Sequence, residues 1–117
     1  MFSDDERARE WVLDIIDYAD RISKYLAGLS FEQFEARTLE QDAVERCLLN
    51  ISEAAVRLGE ARFARVAPDL PLHRLRAFGN VLRHEYERLD ARTIWDTATR
   101  YVPALRAACA AALGIEE

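Results

Sequence analysis

The sequence predicts an all-α bundle of four main helices joined by short connecting helices. Three observations carry that expectation. Half of the 117 residues are hydrophobic while Gly and Pro number only 4 and 3, so little of the chain is left for loops. Ala, Leu, Arg and Glu, all good helix formers, are abundant. Apolar residues recur at intervals of three and four along several stretches, and none alternates with the period of two that marks a strand.

The first helix is expected over 4–27. Ser3 is its N-cap candidate, and Asp4, Asp5 and Glu6 suit the positive end of the helix dipole. Val12, Ile15, Ile16, Ala19, Ile22, Tyr25 and Leu26 give it an apolar face, and Gly28 ends it. Trp11 and Tyr18 border that face and read as packing or dimer-contact residues. Ser30 followed by Gln33 is a capping-box pattern that opens a short helix ending near Arg37. Thr38 is expected to cap a second long helix over 39–58, apolar at Leu39, Ala43, Val44, Cys47, Leu48, Ile51, Ala54, Ala55 and Leu58.

Gly59 interrupts that pattern, and 60–66 adds a turn or two. Pro68-Asp69-Leu70-Pro71 is the clearest loop, with Pro71 suited to the first position of the next helix. That third long helix carries an apolar stripe of Leu72, Leu75, Phe78, Leu82, Tyr86 and Leu89. Asp90 is the expected N-cap of the last helix, whose seam runs from Ile94 and Trp95 through Ala98, Val102, Leu105 and Cys109 to Leu113. Pro103 removes a backbone donor within that seam and is expected to kink or split the helix before Gly114 ends it.

The length fits one domain, 1–117, whose small core would gain from dimerisation. No apolar run approaches the ~20 residues of a membrane span. The acidic start, Met-Phe-Ser-Asp-Asp-Glu, lacks the features of a signal peptide, so a cytoplasmic location is expected. Cys47 and Cys109 have no partner at metal or redox spacing and read as buried, small apolar side chains. His73 and His84 have no helical carboxylate to complete a metal triad, and no Gly-rich phosphate loop occurs. No metal or cofactor is expected.

A net charge of -5 argues against broad, sequence-independent binding of nucleic acid. The charge is uneven. Residues 1–56 carry 13 acidic and 6 basic side chains, whereas 57–92 carry 8 basic and 5 acidic. A basic segment on an acidic chain favours a confined anion site, and the acidic half suits docking of a basic partner. In the basic segment, Arg76, Asn80, Arg83, His84 and Glu87 fall within roughly a 100° arc opposite the apolar stripe. Such a row serves as a solvated face. It also has the chemistry to act on a phosphodiester, because His moves protons near neutral pH and Arg supplies fixed positive charge.

Asn80-Val81-Leu82-Arg83-His84-Glu85-Tyr86 resembles the core motif of HEPN-domain proteins, specifically the HepT-like toxins. Their pattern is Arg, a spacer of four to six residues, His, one residue and Tyr, commonly with Asn directly after the Arg. Asn80, His84 and Tyr86 stand in matching places, but Gly79 occupies the position before the Asn. Arg76, one turn earlier, and Arg83, beside the His, are the available substitutes. Arg76 is preferred because it shares the arc of Asn80 and His84. Asn50-Ile51-Ser52-Glu53-Ala54 resembles a family Ile-Gly-Glu-Ala segment, in which Glu53 is either a solvated carboxylate or one that orients the motif Arg or His. The Pro-rich turn, Asp90 and the Trp95…Val102-Pro103…Leu105 spacing extend the similarity over nearly the whole chain.

The resemblance implies a HEPN-type bundle, forming a homodimer whose two motifs meet at a cleft. It implies a metal-independent endoribonuclease, the toxin of a type VII toxin–antitoxin pair, that leaves a 2′,3′-cyclic phosphate. His84 would transfer protons, Arg76 or Arg83 would stabilise the phosphorane, and Asn80 would hold the imidazole or a phosphate oxygen. The implied partner is a minimal nucleotidyltransferase (MNT) antitoxin that adenylylates Tyr86, adding bulk and negative charge that exclude RNA. Read without the resemblance, Tyr86 is a core tyrosine. Gly79 keeps a second reading open, a non-catalytic helical subunit that presents substrate to a nucleotidyltransferase. Mid-helix Gly is unfavourable by roughly 0.5–1 kcal/mol relative to Ala, and a close helix crossing, at the dimer interface, would explain it.

Overall fold

A computed structural model of the chain describes residues 4–84 and 90–115. Its elements are α1 (Asp4–Leu26), α2 (Phe31–Glu35), α3 (Thr38–Leu58), α4 (Glu60–Val66), α5 (Leu72–His84), α6 (Ala91–Asp96), a π-helical turn (Thr97–Tyr101) and α7 (Val102–Leu113). The fold is all-α, in a bundle consistent with the HEPN type; no strand occurs among the described residues.

The longest packing surface joins α1 to α3. Asp14 lies near Arg57 and Asp17 near Cys47, so these two helices run antiparallel. Helix α5 packs on α3, and α7 on α1. The seams meet in a core that fully buries Ile15, Ile22, Val44, Leu48, Ile51 and Leu105. Phe34, 0% exposed, plugs the space beside α6, with its ring centroid 5.4 Å from that of Trp95. Phe31 meets the same indole edge-on at 6.1 Å, and the Arg92 guanidinium covers the Phe31 ring at 4.5 Å. Phe63 on α4 is buried as well.

Local sequence accounts for several of the helix ends. Ser30 Oγ accepts from Gln33 N at 3.2 Å while Gln33 Oε1 accepts from Ser30 N at 2.9 Å, closing the capping box on α2. Asp90 Oδ1 accepts from Thr93 N at 2.8 Å and starts α6. Gly114 ends α7 with φ 70°, in the left-handed region.

Three expectations are corrected. Thr38 is the first residue of α3, not its cap. Arg37 holds the cap position without a side-chain cap bond, and its guanidinium pairs with Glu40 at 3.1 Å. Leu39 is 79% exposed rather than on the apolar face, because at ~100° per residue it points about 180° from Leu48. Tyr25, 38% exposed, likewise leaves the apolar face of α1. Pro103 splits the last helix as expected: a π-helical turn separates α6 from α7 and ends directly before the turn that carries Pro103. There Val102 N donates to Thr97 O, and the hydroxyls of Thr97 and Thr99 donate back to Thr93 O and Trp95 O at 2.8 and 2.7 Å.

Cys47 and Cys109 are free and buried, and burial raises the Cys109 thiol to about 11. Ser3, Tyr86, Glu87 and Leu89 lie outside the described residues. Among the described residues, no helix is long and apolar enough to cross a membrane.

Candidate functional site

The site is built where α5 crosses α3. Ser52 is the buried polar side chain of the core, 0% exposed. Its Oγ donates to Leu75 O on α5 at 3.2 Å, satisfying the buried hydroxyl. Gly79, one turn after Leu75, is buried against the same side chain. A Cβ placed on Gly79 would lie 2.8 Å from Ser52 Cβ and still closer to Ser52 Oγ. The close crossing expected from Gly79 is therefore present, but inside the chain between α3 and α5.

Beside this crossing three sequence-predicted residues come together. Arg83 Nη1 donates to Asn80 Oδ1 at 2.9 Å. Its Nε lies 3.7 Å from Glu53 Oε1 on α3, with the two side chains 31% and 40% exposed. Its Nη2 lies 3.7 Å from the place a Gly79 Cβ would occupy. The guanidinium is thus laid over Gly79 and held on two sides. An ion pair this open is screened by solvent and contributes little to stability. What it contributes is orientation, because a planar guanidinium held at two edges keeps its remaining donors pointing outward.

His84 is exposed at the next position, in the last turn of α5. Arg76 is exposed on the same helix, but no described residue pairs with its guanidinium. The structure therefore brings together Glu53, Asn80 and Arg83, with His84 adjacent, and leaves Arg76 apart. Tyr86 falls outside the described residues. Ser52 is the residue that sequence reasoning passed over. Its signal was its phase: it falls between Leu48 and Ala55 on the buried seam of α3, where a polar side chain needs a partner.

Chemically, exposed imidazole, guanidinium and amide groups on one helix end can bind an anion and transfer a proton beside it. Among the described residues, no three His, Cys, Asp or Glu side chains are grouped to hold a metal ion. On another face of α5, Arg74, Leu75 and Phe78 line an apolar pocket with Thr97 and Tyr101. The Tyr101 hydroxyl is buried there without a hydrogen-bond partner among the described residues, and burial raises it to about 12.

The family model described as Ribonuclease HepT-like matches residues 15–112. Two proteins of Methanocaldococcus jannaschii, each named as a candidate RNase, are 28% identical over 98 residues. The match covers 84% of this chain and 80% and 84% of theirs. A Thermococcus cleftensis protein named "Probable ribonuclease HepT" is also 28% identical over 98 residues, covering 84% of this chain and 88% of its own. No solved structure matches the chain.

Proposed function

The chain belongs to the HepT-like ribonuclease family, and from that premise we propose that it is a metal-independent endoribonuclease acting through the C-terminal end of α5. The observation that carries this reading is Arg83, held by Asn80 and Glu53 directly beside His84. In the proposed reaction the ribose 2′-oxygen bonds to phosphorus and the P–O5′ bond breaks, leaving a 2′,3′-cyclic phosphate. His84 takes the 2′-hydroxyl proton, and the departing 5′-oxygen gains one from the second motif of a homodimer or from water. Arg83 donates to the phosphorane oxygens as negative charge develops there. Arg76 extends the positive face toward the flanking phosphate.

The fold comprises one domain, working in the cytoplasm as the toxin of a type VII pair. An MNT-type nucleotidyltransferase antitoxin neutralises it by adenylylating Tyr86. The non-catalytic alternative drew its force from Gly79. The Arg83 guanidinium above that glycine favours the catalytic reading, because the missing charge is supplied from the next turn.

The test is RNA cleavage by the purified chain, with cyclic-phosphate ends scored on the products. His84→Ala is expected to lower the rate about 10²–10⁴-fold, the contribution usual for a general acid–base group. Cleavage that persists unchanged in that variant rejects the assignment. For Tyr86, incubation with the neighbouring nucleotidyltransferase and ATP should add the mass of AMP to the wild type and not to Tyr86→Phe.

A further inference from the structure

We infer that Ser52 and Gly79 are positioning residues for this site: their contact sets the register in which Glu53 on α3 meets Arg83 on α5. The inference rests on the ribonuclease reading for its functional consequence. Its structural basis is separate.

Ser52 touches α5 at two points one turn apart. Its hydroxyl donates to Leu75 O at 3.2 Å, and its side chain fills the space above Gly79. Two contacts on one side of a helix fix both its sliding and its rotation at the crossing. A helical Ser that turns from its own backbone to another helix spends its donor on that placement. Glu53 leaves α3 at the next residue, and Arg83 leaves α5 one turn beyond Gly79.

The Glu53–Arg83 separation is 3.7 Å, near the outer limit of an ion pair. Widening the crossing by one methyl group would open it further, and Arg83 would lose one of the two restraints on its guanidinium. The same contact explains the departure at position 79. A side chain there would collide with Ser52, and the charge comes instead from Arg83, whose Nη2 already lies 3.7 Å from that point. Glycine at 79 and arginine at 83 are thus one coupled arrangement, with Ser52 beneath it.

The experiment compares the wild type with Gly79→Ala, Ser52→Gly and the double variant, with His84→Ala as the control for the chemistry. Removing the Ser52 side chain makes room for the methyl group of the first variant. Two quantities are read: the kcat and KM of RNA cleavage, and the NMR position of the Arg83 Nε–Hε cross-peak, assigned with Arg83→Lys. Gly79→Ala should shift that cross-peak and lower kcat about tenfold or more, with KM changed less than about threefold, as for a misplaced rather than a missing group. The double variant should recover both in part, because it relieves the collision but lacks the Ser52 bond to Leu75 O.

An unmoved cross-peak in Gly79→Ala, or a double variant that recovers neither quantity, overturns the inference. A double variant that is unfolded by circular dichroism does so too, because the steric exchange has then failed. If the wild type cleaves no RNA, the ribonuclease reading falls, and the cross-peak comparison still decides whether Ser52 and Gly79 place Arg83.

Discussion

Arg83 reaches back one helical turn to Asn80, its Nη1 donating to Oδ1 at 2.9 Å. That bond uses an edge of the guanidinium on the protein itself, and Glu53 stands against its Nε at 3.7 Å. The two partners stop the side chain from sweeping through its many rotamers, a freedom whose loss on binding would otherwise weaken contact with a phosphate.

Arg83 and Arg76 should therefore separate in a mutational comparison. Arg83→Ala is expected to reduce kcat for RNA cleavage by about 10²–10³-fold, the effect of removing one donor to a developing oxyanion. Arg76→Ala should act mainly on KM and on the salt dependence of binding, as a phosphate contact does. Steady-state rates at two salt concentrations check both. Equal losses of kcat in the two variants would reject the distinction.

Tyr101→Phe should stabilise the fold. The hydroxyl it removes is buried without a partner among the described residues, so a gain of about 1 kcal/mol near neutral pH is expected from urea unfolding. The same residue shapes the alkaline limb. Burial raises Tyr101 from 10.0 to about 12, so the folded state keeps its proton where the unfolded chain has lost it. The stability is fully present below pH 10.0 and is lost as pH rises toward about 12. Cys109, raised by burial from 9.0 to about 11, adds a loss that begins lower. Tyr101→Phe should flatten the upper part of this decline, measured as urea midpoints against pH.

Asp90 governs part of the acid limb. Its carboxylate accepts from the backbone and side chain of Thr93, which holds it below its usual 3.8. A carboxyl group depressed in the folded state contributes stability above pH 3.8 that disappears as pH falls through its folded value. Asp90→Asn preserves a cap but cannot titrate. Its melting temperature should therefore fall less steeply than that of the wild type over that acid range.

Phe34→Ala should be severe. The ring is fully buried and packs against Trp95 at 5.4 Å, so its removal leaves a cavity between α2 and α6. A loss of about 3–5 kcal/mol is expected, with increased solvent exposure of the Trp95 indole reported by its fluorescence. A loss below about 1 kcal/mol would show that the pocket collapses around the missing ring.

The helices were legible in the sequence because the apolar period is strong and the caps at Ser30 and Asp90 are local signals. Leu39 misled because it stands four residues before Ala43, itself only half-buried, while its own phase opposes Leu48. Asn80 and Arg83, three apart on one helix, could be placed together from spacing alone. The pairing of Arg83 with Glu53 could not, because Glu53 is a residue of another helix. The Ser52–Gly79 contact was hidden for the same reason: each residue looks unremarkable until the two helices cross. Pro103 warned of a disturbance, but a proline does not say how the chain ahead of it will respond.

That response has a consequence for how this sequence tolerates change. A π-helical turn accommodates roughly one residue more than the α-helical turn it replaces. The stretch from Thr97 to Tyr101 thus stores a surplus residue, and the threonine hydroxyls at 97 and 99 cover carbonyls of the preceding turn. Deleting a single residue there, at exposed Arg100, would let the segment relax to an ordinary α-helix while Ile94 and Leu105 keep facing the core. Inside one of the α-helices a one-residue deletion would rotate the rest of that helix by about 100° and turn a seam toward water. This one turn is where the length of the chain can drift without the architecture noticing.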